Sequence, residues 1–272
     1  MLLGRALLLS VAAAEVTLVD AAYSGRSFSV ASEDNTVIGL AFNGDGSKMY
    51  IVGYQNDTVY EYELSTGFKV DTASYSTRSF SLASQAASAS KIAFSPDGTK
   101  MFTSDDTTNT VHSYTLGTGF DVSTASYDSV SVSVGTEEGN PIGLAFSPDG
   151  TRMYISGPAN DTVFEYELST PFDLSTASYS TRSFSVASQT TAPHGLAFSA
   201  SGKKMFVLGN DNDTVFQYSL STGFKVDTAS YDSVSFSVTS QEGTPQAVAF
   251  NGAGSRMFVA GSTANTVFEY EL

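Results

Sequence analysis

The sequence predicts an all-β fold built from five copies of one unit, and three observations lead to that prediction. First, a Lys/Arg-Met pair recurs every 52 residues without insertion or deletion, beginning at Lys48, Lys100, Arg152, Lys204 and Arg256. Second, each copy alternates short apolar runs with Asp, Asn, Gly or Pro turn residues. Third, no window carries a sustained helical period of apolar residues. Strict self-similarity of this kind is typical of architectures in which each unit packs on its neighbours.

One copy contains four predicted strands. Gly143–Phe146 is a short apolar strand, and Ser147–Gly150 forms a turn because Pro presets φ and Gly adopts positive φ. Arg152–Gly157 is the second strand, and Thr162–Leu168 is a third with period-two alternation. A longer connection leads to a fourth strand at Tyr179–Val186. Four short antiparallel strands in each copy predict the blades of a five-bladed β-propeller.

The phase of the repeat predicts how the ring closes. The innermost strands are predicted at 39–42, 91–94, 143–146, 195–198 and 247–250. The last copy lacks a fourth strand, because the sequence stops after its third strand at Leu272. Tyr23–Val30 matches Tyr179–Val186 almost residue for residue. We therefore predict that this N-terminal strand completes the last blade of a single propeller over residues 15–272, which hides two strand edges.

Several phrases resemble known propeller repeats. Pro141–Tyr154 and Asn160–Val163 resemble the repeats of the YVTN, TolB-like and NHL-like group, and Ala93–Phe102 carries the same phrase. The resemblance covers about residues 19–272 and implies a propeller without specifying an activity. Asp121–Tyr127 is similar to repeats in marine bacterial and phage surface proteins. That similarity implies a virion, cell-surface or other extracellular setting, and assembly into a larger particle.

Composition narrows the classes of partner. The 272 residues carry a formal net charge of −15, which disfavours nucleic acid and anionic membrane surfaces as partners. The sequence has no Cys, which removes disulfides and thiolate metal sites. Residues 1–14 read MLLGRALLLSVAAA, which predicts either a signal peptide with a cleavage site near Ala14 or a retained apolar anchor. This run is too short to predict a transmembrane segment.

The copies agree on one face of the predicted propeller and differ on the other. The turn between the first and second strands and the connection between the third and fourth are nearly invariant. We call the opposite face the divergent face. It carries the second-to-third loops (54–57, 105–109, 158–161, 210–213 and 262–265) and the blade-to-blade connections (32–35, 84–88, 135–139, 188–191 and 240–243). Loops on a rigid scaffold commonly hold binding residues, so this face is predicted to contact a protein or carbohydrate partner. The alternative is that these loops vary because nothing restrains them.

The divergent face is rich in carboxylates. Its acidic residues are Glu33, Asp34, Asp57, Asp105, Asp106, Glu137, Glu138, Asp161, Asp211, Asp213 and Glu242. Of these, the candidate binding residues are Asp105, Asp106, Glu137, Glu138, Asp211 and Asp213. Tyr54 is the candidate for stacking on a sugar. Carboxylates around an axis could also hold Ca²⁺, which takes oxygen ligands, although no segment has the spacing of a dedicated calcium loop. We therefore assign no metal ligands.

Four polar residues break the repeat where the central funnel is predicted to open. Ser90, Lys91, His194 and Gln246 occupy two first-strand positions at which other copies have Ile, Gly or Ala. They are candidate binding residues, because a site in a symmetric ring must come from such exceptions. His194 could act as a base, or it could be a solvated polar residue at the channel mouth. His112 replaces a third-strand Tyr or Phe and is interpreted as a packing or surface substitution.

Two functions follow from these patterns. The favoured one is a non-enzymatic binding or structural propeller displayed on a virion or cell surface. The alternative is a lactonase- or hydrolase-type propeller with a Ca²⁺-assisted site in the funnel, which requires His194 and several carboxylates to converge on the axis. The sequence has no Gly-x-Ser-x-Gly elbow, P-loop or dinucleotide fingerprint, so no catalytic residue is assigned.

Overall fold

A computed structural model describes residues 15–86 and 88–272, so the predictions for residues 1–14 lie outside the described part of the chain. The chain folds into twenty strands arranged in five four-stranded antiparallel sheets. Helical structure in the described residues consists of four three-residue 3₁₀ turns. The predicted all-β, five-bladed propeller is confirmed. None of the described residues forms a helix with the length and apolarity that a bilayer crossing requires.

Each blade takes its strands in order from the axis outward. Blade 1 comprises β2 (Val37–Phe42), β3 (Lys48–Gly53), β4 (Thr58–Leu64) and β5 (Ala73–Ser81), and blade 2 comprises β6 (Ala89–Phe94), β7 (Lys100–Asp105), β8 (Thr110–Leu116) and β9 (Ala125–Ser133). Blade 3 comprises β10 (Gly143–Phe146), β11 (Arg152–Gly157), β12 (Thr162–Leu168) and β13 (Ala177–Ser185), and blade 4 comprises β14 (Pro193–Phe198), β15 (Lys204–Gly209), β16 (Thr214–Leu220) and β17 (Ala229–Ser237). Blade 5 comprises β18 (Pro245–Phe250), β19 (Arg256–Gly261), β20 (Thr266–Glu271) and β1 (Ala22–Ser29). The 3₁₀ turns are Val70–Thr72, Val122–Thr124, Leu174–Thr176 and Val226–Thr228, each between the third and fourth strands of its blade.

The core lies between the blades. Each first strand contacts the first strands of both neighbouring blades, so these five strands surround the axis. Aromatic side chains cross the junctions: Tyr50 of blade 1 packs on Phe94 of blade 2 with ring centroids 4.6 Å apart. Phe42 of blade 1 packs on Phe258 of blade 5 at 4.5 Å. A single blade buries neither of its faces alone, so the ring is the unit of stability.

The ring closes through the N-terminal strand, as predicted. β1 pairs antiparallel with β20, from Ala22 opposite Glu271 to Ser29 opposite Thr266. The sheet that holds β18, β19 and β20 therefore gains its outer strand from the opposite end of the sequence. This pairing satisfies backbone groups that an open ring would leave on two exposed edges.

The closure extends upstream of β1. Val16 and Leu18 stand 52 residues before Phe68 and Val70, and they take the corresponding places in blade 5. Leu18 is 2% exposed, and its N–H donates to Gln217 Oε1 of blade 4 at 2.9 Å. Val16 lies against a positive-φ glycine of blade 5 in the way that Phe68 does in blade 1. The prediction for the N-terminal strand missed this segment, because Val replaces the aromatic residue that marks it elsewhere.

We predict that Leu18→Ala lowers the free energy of unfolding by about 2–5 kcal/mol, because it leaves a cavity where blade 5 packs on blade 4. The matched control is Val19→Ala, since the side chain of Val19 is 67% exposed and its loss should cost about 0.5 kcal/mol or less. Urea unfolding of both variants measures the difference. Equal stabilities would show that the segment before β1 does not take part in closure.

A buried carboxylate joins three of the five blades to the next blade. In blade 1, Glu61 is fully buried and accepts hydrogen bonds from Lys48 Nζ at 2.7 Å and from Arg78 Nη1 at 3.1 Å. Its second oxygen accepts the N–H of Val122, in the 3₁₀ turn of blade 2, at 3.1 Å. The equivalent carboxylates are Glu165 in blade 3 and Glu269 in blade 5, which accept the N–H groups of Val226 and Val70. Two cations and an amide together offset the cost of burying the charge.

Blades 2 and 4 are built differently at the same positions. The Glu and Arg positions are held by Ser113 and Val130 in blade 2 and by Gln217 and Val234 in blade 4. In these blades the second-strand lysine forms its salt bridge with a carboxylate on the fourth strand. Lys100 Nζ pairs with Asp128 at 2.8 Å, and Lys204 Nζ pairs with Asp232 at 2.7 Å. We refer to blades 1, 3 and 5 as Glu-type blades and to blades 2 and 4 as Asp-type blades.

We predict that Glu61→Ala lowers the free energy of unfolding by about 3–5 kcal/mol, because it leaves Lys48, Arg78 and the Val122 amide without their shared acceptor. The same substitution at the equivalent position of an Asp-type blade, Ser113→Ala, removes one hydrogen bond and should cost about 1 kcal/mol. Chemical denaturation of the two variants tests the prediction. Similar losses would contradict the division into two blade types.

Candidate functional site

Carboxylates on the divergent face hold its loops in place. Asp34, Asp105, Glu138 and Glu242 are each no more than 2% exposed. Glu242 accepts the backbone N–H of Thr244 at 2.9 Å within the blade-to-blade connection. It also accepts the N–H groups of residues 263 and 264, in the second-to-third loop, at 3.1 Å each. One buried carboxylate thus ties two loops of the divergent face together.

Asp34 and Glu138 likewise tie two loops together, while Asp105 accepts N–H groups within its own loop. Asp34 accepts the N–H of Thr36 at 2.8 Å and that of Asn56 at 3.1 Å. Asp105 accepts the N–H groups of residues 107 and 108 at 2.7 and 2.9 Å. Glu138 accepts the N–H groups of residues 140 and 159 at 3.0 and 3.1 Å, while burial raises the pKa of its carboxyl group. These residues stabilise backbone that would otherwise leave polar groups unpaired.

Three of the remaining acidic candidates also accept hydrogen bonds within the protein, whereas Asp106 Oδ1 is buried without a hydrogen-bond partner among the described residues. Glu137 accepts the hydroxyl of Tyr166 at 2.8 Å. Asp211 is exposed and accepts the side-chain hydroxyl of Thr190 and both the N–H and the hydroxyl of Thr191. Asp213 accepts the hydroxyl of residue 239 at 3.2 Å. Asp106 is half-buried near the axis, where its charge opposes the effect of burial on the pKa of Lys91.

A repeated asparagine adds a second tie that the sequence analysis did not assign. Asn56, Asn160 and Asn212 each donate a side-chain N–H to a backbone oxygen of the blade-to-blade connection, at 3.2, 2.6 and 2.8 Å. The signal for this role was the recurring Asn-Asp-Thr phrase of the second-to-third loops. The loops therefore differ in sequence and are nevertheless tied to one another. In the part of the chain that the structure describes, no three His, Cys, Asp or Glu side chains form a group suited to a metal ion.

Tyr54 is the exposed aromatic residue of this face. Its side chain is 44% exposed, and its backbone N–H donates to Thr36 O at 2.9 Å. The residue follows β3 directly, where Asp34 braces the same loop through the N–H of Asn56. A ring presented from a braced loop can stack on a sugar or pack into a protein surface with little loss of conformational entropy.

Three of the four axial candidates interact with one another: His194 hydrogen-bonds to Gln246 and experiences the charge of Lys91. His194 Nδ1 lies 2.7 Å from Gln246 Oε1, an acceptor, so this nitrogen carries the proton. Burial and the charge of Lys91 lower the pKa of His194 to about 4. Lys91 is 5% exposed and donates to Ile38 O at 2.6 Å, and burial lowers its pKa to about 7. Ser90 is fully buried and donates to Ser88 O at 3.3 Å, so its hydroxyl is engaged locally.

The hydrogen bonding of His194 bears on the prediction that this residue acts as a base. His194 is neutral near pH 7 and bonds to an amide. Activation of a hydroxyl nucleophile instead requires a base that contacts the hydroxyl and is oriented by a third group. Among the described residues no such hydroxyl hydrogen-bonds to His194. His112, by contrast, is buried in blade 2 and packs edge-on against Tyr127 with ring centroids 5.9 Å apart, so its substitution belongs to packing.

No protein-family model matches this sequence, and no curated protein matches it either. Solved structures do match its fold. A protein of unknown function from Desulfotomaculum acetoxidans aligns with a TM-score of 0.50 and 15% identity, over 83% of this chain and 62% of that one. A "putative 6-phosphogluconolactonase" from Bacteroides uniformis aligns with a TM-score of 0.51 and 14% identity, over 82% of this chain and 63% of that one. A protein of the same description from Bacteroides fragilis gives 0.51 and 14%, over 78% and 56%.

These comparisons describe the architecture. The chain spans less than two thirds of the length of the matched structures, and the identities are low. At such identity a shared fold carries no information on substrate. The resemblance to YVTN, TolB-like and NHL-like repeats has no matching family model, so it stays a prediction. The chain is thus similar in fold to these bacterial proteins.

We predict that the stability of the protein depends on pH through its two histidines. Burial lowers the pKa of both His112 and His194 below the ordinary value of 6.5. The folded protein thus binds fewer protons than the unfolded chain in acid. The contribution of these two neutral histidines to the free energy of unfolding is fully present above pH 6.5. It is lost as the pH falls through the pKa of each histidine in the folded protein, which is about 4 for His194. Urea unfolding at pH 7 and pH 4.5 should show a smaller loss for His194→Gln than for the parent chain, and equal losses would refute the assignment.

Proposed function

We propose that this chain is a non-enzymatic binding propeller whose divergent face recognises a protein or carbohydrate partner, on a virion or cell surface. The observation that carries the proposal is the use of the carboxylates on that face. They accept backbone N–H groups of the loops and so give a braced rim around the axis. A braced rim favours binding because little ordering is required when the partner arrives.

Contacts with the partner are assigned to the exposed part of this rim. Tyr54 supplies an aromatic surface, and Asp211 supplies an exposed carboxylate. At the axis, His194 and Gln246 supply a preformed pair of hydrogen-bonding groups. Aromatic rings with a few fixed polar groups are typical of both glycan and protein recognition. The likeness of Asp121–Tyr127 to phage and marine bacterial surface repeats supports the setting.

The alternative is a Ca²⁺-assisted lactonase or hydrolase with the same propeller fold. It draws on the two structural neighbours described as 6-phosphogluconolactonases, which share the fold with this chain. It requires carboxylates that converge on the funnel axis. Glu138 and Glu242 are buried against loop amides, which makes them poor candidates for such convergence. The binding proposal is therefore the better supported of the two.

The test measures binding of the purified chain to a printed glycan array and, by surface plasmon resonance, to proteins extracted from the surface of whichever virion or cell is found to carry the chain. We expect Tyr54→Ala to weaken the observed binding by about tenfold, the usual effect of losing a central aromatic contact. The matched control is Tyr23→Ala, a tyrosine with a similar exposed fraction of 37% on the outer strand of blade 5, which should leave binding unchanged.

Calcium discriminates between the two functions. We expect the melting temperature to be the same with Ca²⁺ and with a chelator. A rise of several degrees with Ca²⁺ that the chelator reverses, together with lactone hydrolysis that His194→Ala abolishes, would overturn the binding proposal in favour of the enzyme. Equal effects of Tyr54→Ala and Tyr23→Ala on partner binding would place the contact elsewhere on the ring.

A further inference from the structure

A cleft of about 610 Å³ opens between blades 2 and 3, on the side of the nearly invariant turns. The residues that matter for its chemistry are Lys100, Ser113, Asp128 and Val130 of blade 2 and Phe172 and Asp173 of blade 3. Its volume falls within the range of pockets that hold small molecules. It lies away from the divergent face and from the axial residues discussed above, so it is independent of the proposed function.

The repeat shows what fills this space at an equivalent junction. Between blades 1 and 2, Glu61 accepts the N–H of Val122 at 3.1 Å. Lys48 Nζ and Tyr50 OH donate to the carbonyl oxygen of Phe120 at 2.8 and 2.7 Å. The guanidinium of Arg78 also lies 3.4 Å from Asp121 Oδ2. One acceptor and several donors thus satisfy the backbone and the carboxylate of the neighbouring blade.

The same pattern recurs at other junctions. Glu165 and Glu269 accept the corresponding amides of Val226 and Val70 at 3.1 and 3.2 Å. Between blades 4 and 5, Gln217 Oε1 accepts the N–H of residue 18 at 2.9 Å. Four junctions of the ring therefore provide an acceptor oxygen for this amide from within the chain.

The junction between blades 2 and 3 lacks these groups. Ser113 takes the place of the acceptor and is too short to cross the gap, and its hydroxyl donates to Asp128 at 2.7 Å. Val130 takes the place of the arginine, and Phe102 takes the place of Tyr50. Lys100 Nζ donates to Asp128 Oδ2 and to the hydroxyl of Thr115, each at 2.8 Å.

Three groups of blade 3 consequently lack the partners that their equivalents have; Phe172 and Asp173 line the cleft, and Leu174 follows them directly in the chain. Among the described residues, neither the N–H of Leu174 nor the carbonyl oxygen of Phe172 has a hydrogen-bond partner. Asp173 accepts the N–H and hydroxyl of Ser175 through Oδ1, which leaves Oδ2 available. An amide donor, a carbonyl acceptor and a carboxylate oxygen thus remain together at one junction.

The charge of the cleft selects the class of ligand. The positive charge of Lys100 is neutralised by Asp128: burial opposes ionisation of this carboxyl, but hydrogen bonds from Lys100, Ser113 and Thr115 outweigh it and lower its pKa. Asp97 and Asp173 remain as excess negative charge in the lining. The lining also contains two prolines and an aromatic ring, which suit a hydrocarbon stem. A cationic head with an apolar stem is therefore favoured.

We propose that this cleft is a binding site for a small zwitterion of the arginine class, with a guanidinium or ammonium group at one end and a carboxylate at the other. The ligand carboxylate accepts the N–H of Leu174, as Glu61 does for Val122. The ligand cation donates to the carbonyl oxygen of Phe172 and pairs with Asp173 Oδ2. The ligand thereby supplies from solution the Glu and Arg groups that a Glu-type blade supplies from its own strands.

The test uses L-arginine as the probe with the full chain, followed by titration calorimetry and by the backbone amide resonance of Leu174. We expect saturable binding at one site and a shift of that resonance. Agmatine lacks the carboxylate, and citrulline replaces the charged guanidinium at the end of the side chain with a neutral urea group, so each should bind at least about tenfold more weakly, given the contribution of a charged hydrogen bond. Absence of saturable arginine binding, or equal binding of the three probes, would overturn the proposal.

Two variants provide the structural control. The double variant Ser113→Glu with Val130→Arg rebuilds the Glu-type junction and should abolish arginine binding while it raises or preserves the melting temperature. Ser113→Gln, which reproduces the acceptor that Gln217 provides in blade 4, is the milder variant and should weaken binding at least about tenfold even where the double variant fails to fold. Ser113→Ala leaves the cleft open and should retain binding. Arginine binding that survives in Ser113→Gln would show that the probe binds elsewhere.

Discussion

The structure depends on one constraint, which is that no blade can bury its own two faces. Each four-stranded sheet contacts its neighbours through aromatic pairs such as Tyr50 with Phe94, so removing any junction exposes core on both sides. The pairing of β1 with β20 completes blade 5, the one blade whose strands come from both ends of the described chain. The loops and axial residues that differ between copies are carried by this closed ring.

Buried carboxylates solve two different problems in this ring. Glu61 and its equivalents reach from one blade to an amide of the next, and so they join blades. Asp34 and Glu242 reach from one loop to another, and so they brace the divergent face. Much of the acidic composition of the chain is therefore part of its framework, because these oxygens accept backbone N–H groups that irregular segments leave unpaired.

The fold could be predicted from the sequence further than the sites could. A repeat without gaps predicts the strand positions, the five blades and the closing strand. Each assignment in one copy can be checked against the equivalent residues of the other copies. The role of Glu138 was not predictable, because a loop carboxylate in a sequence does not reveal which amides fold back onto it. The open junction did leave a signal, since Glu61 and Arg78 are replaced together by Ser113 and Val130. Comparison of strand positions, and not of loops alone, would have found it.

The alternation of blade types has a consequence for the symmetry of the ring. Glu-type and Asp-type blades succeed one another along the chain, so the true period of the junction chemistry is 104 residues, twice the visible repeat. Two blade types cannot alternate all the way around a ring of five blades, because five is an odd number. Blades 5 and 1 are both Glu-type and must meet, with Glu269 on Val70. Parity alone therefore makes the five junctions inequivalent, and a redesign that imposed five identical copies would have to abandon one of the two chemistries.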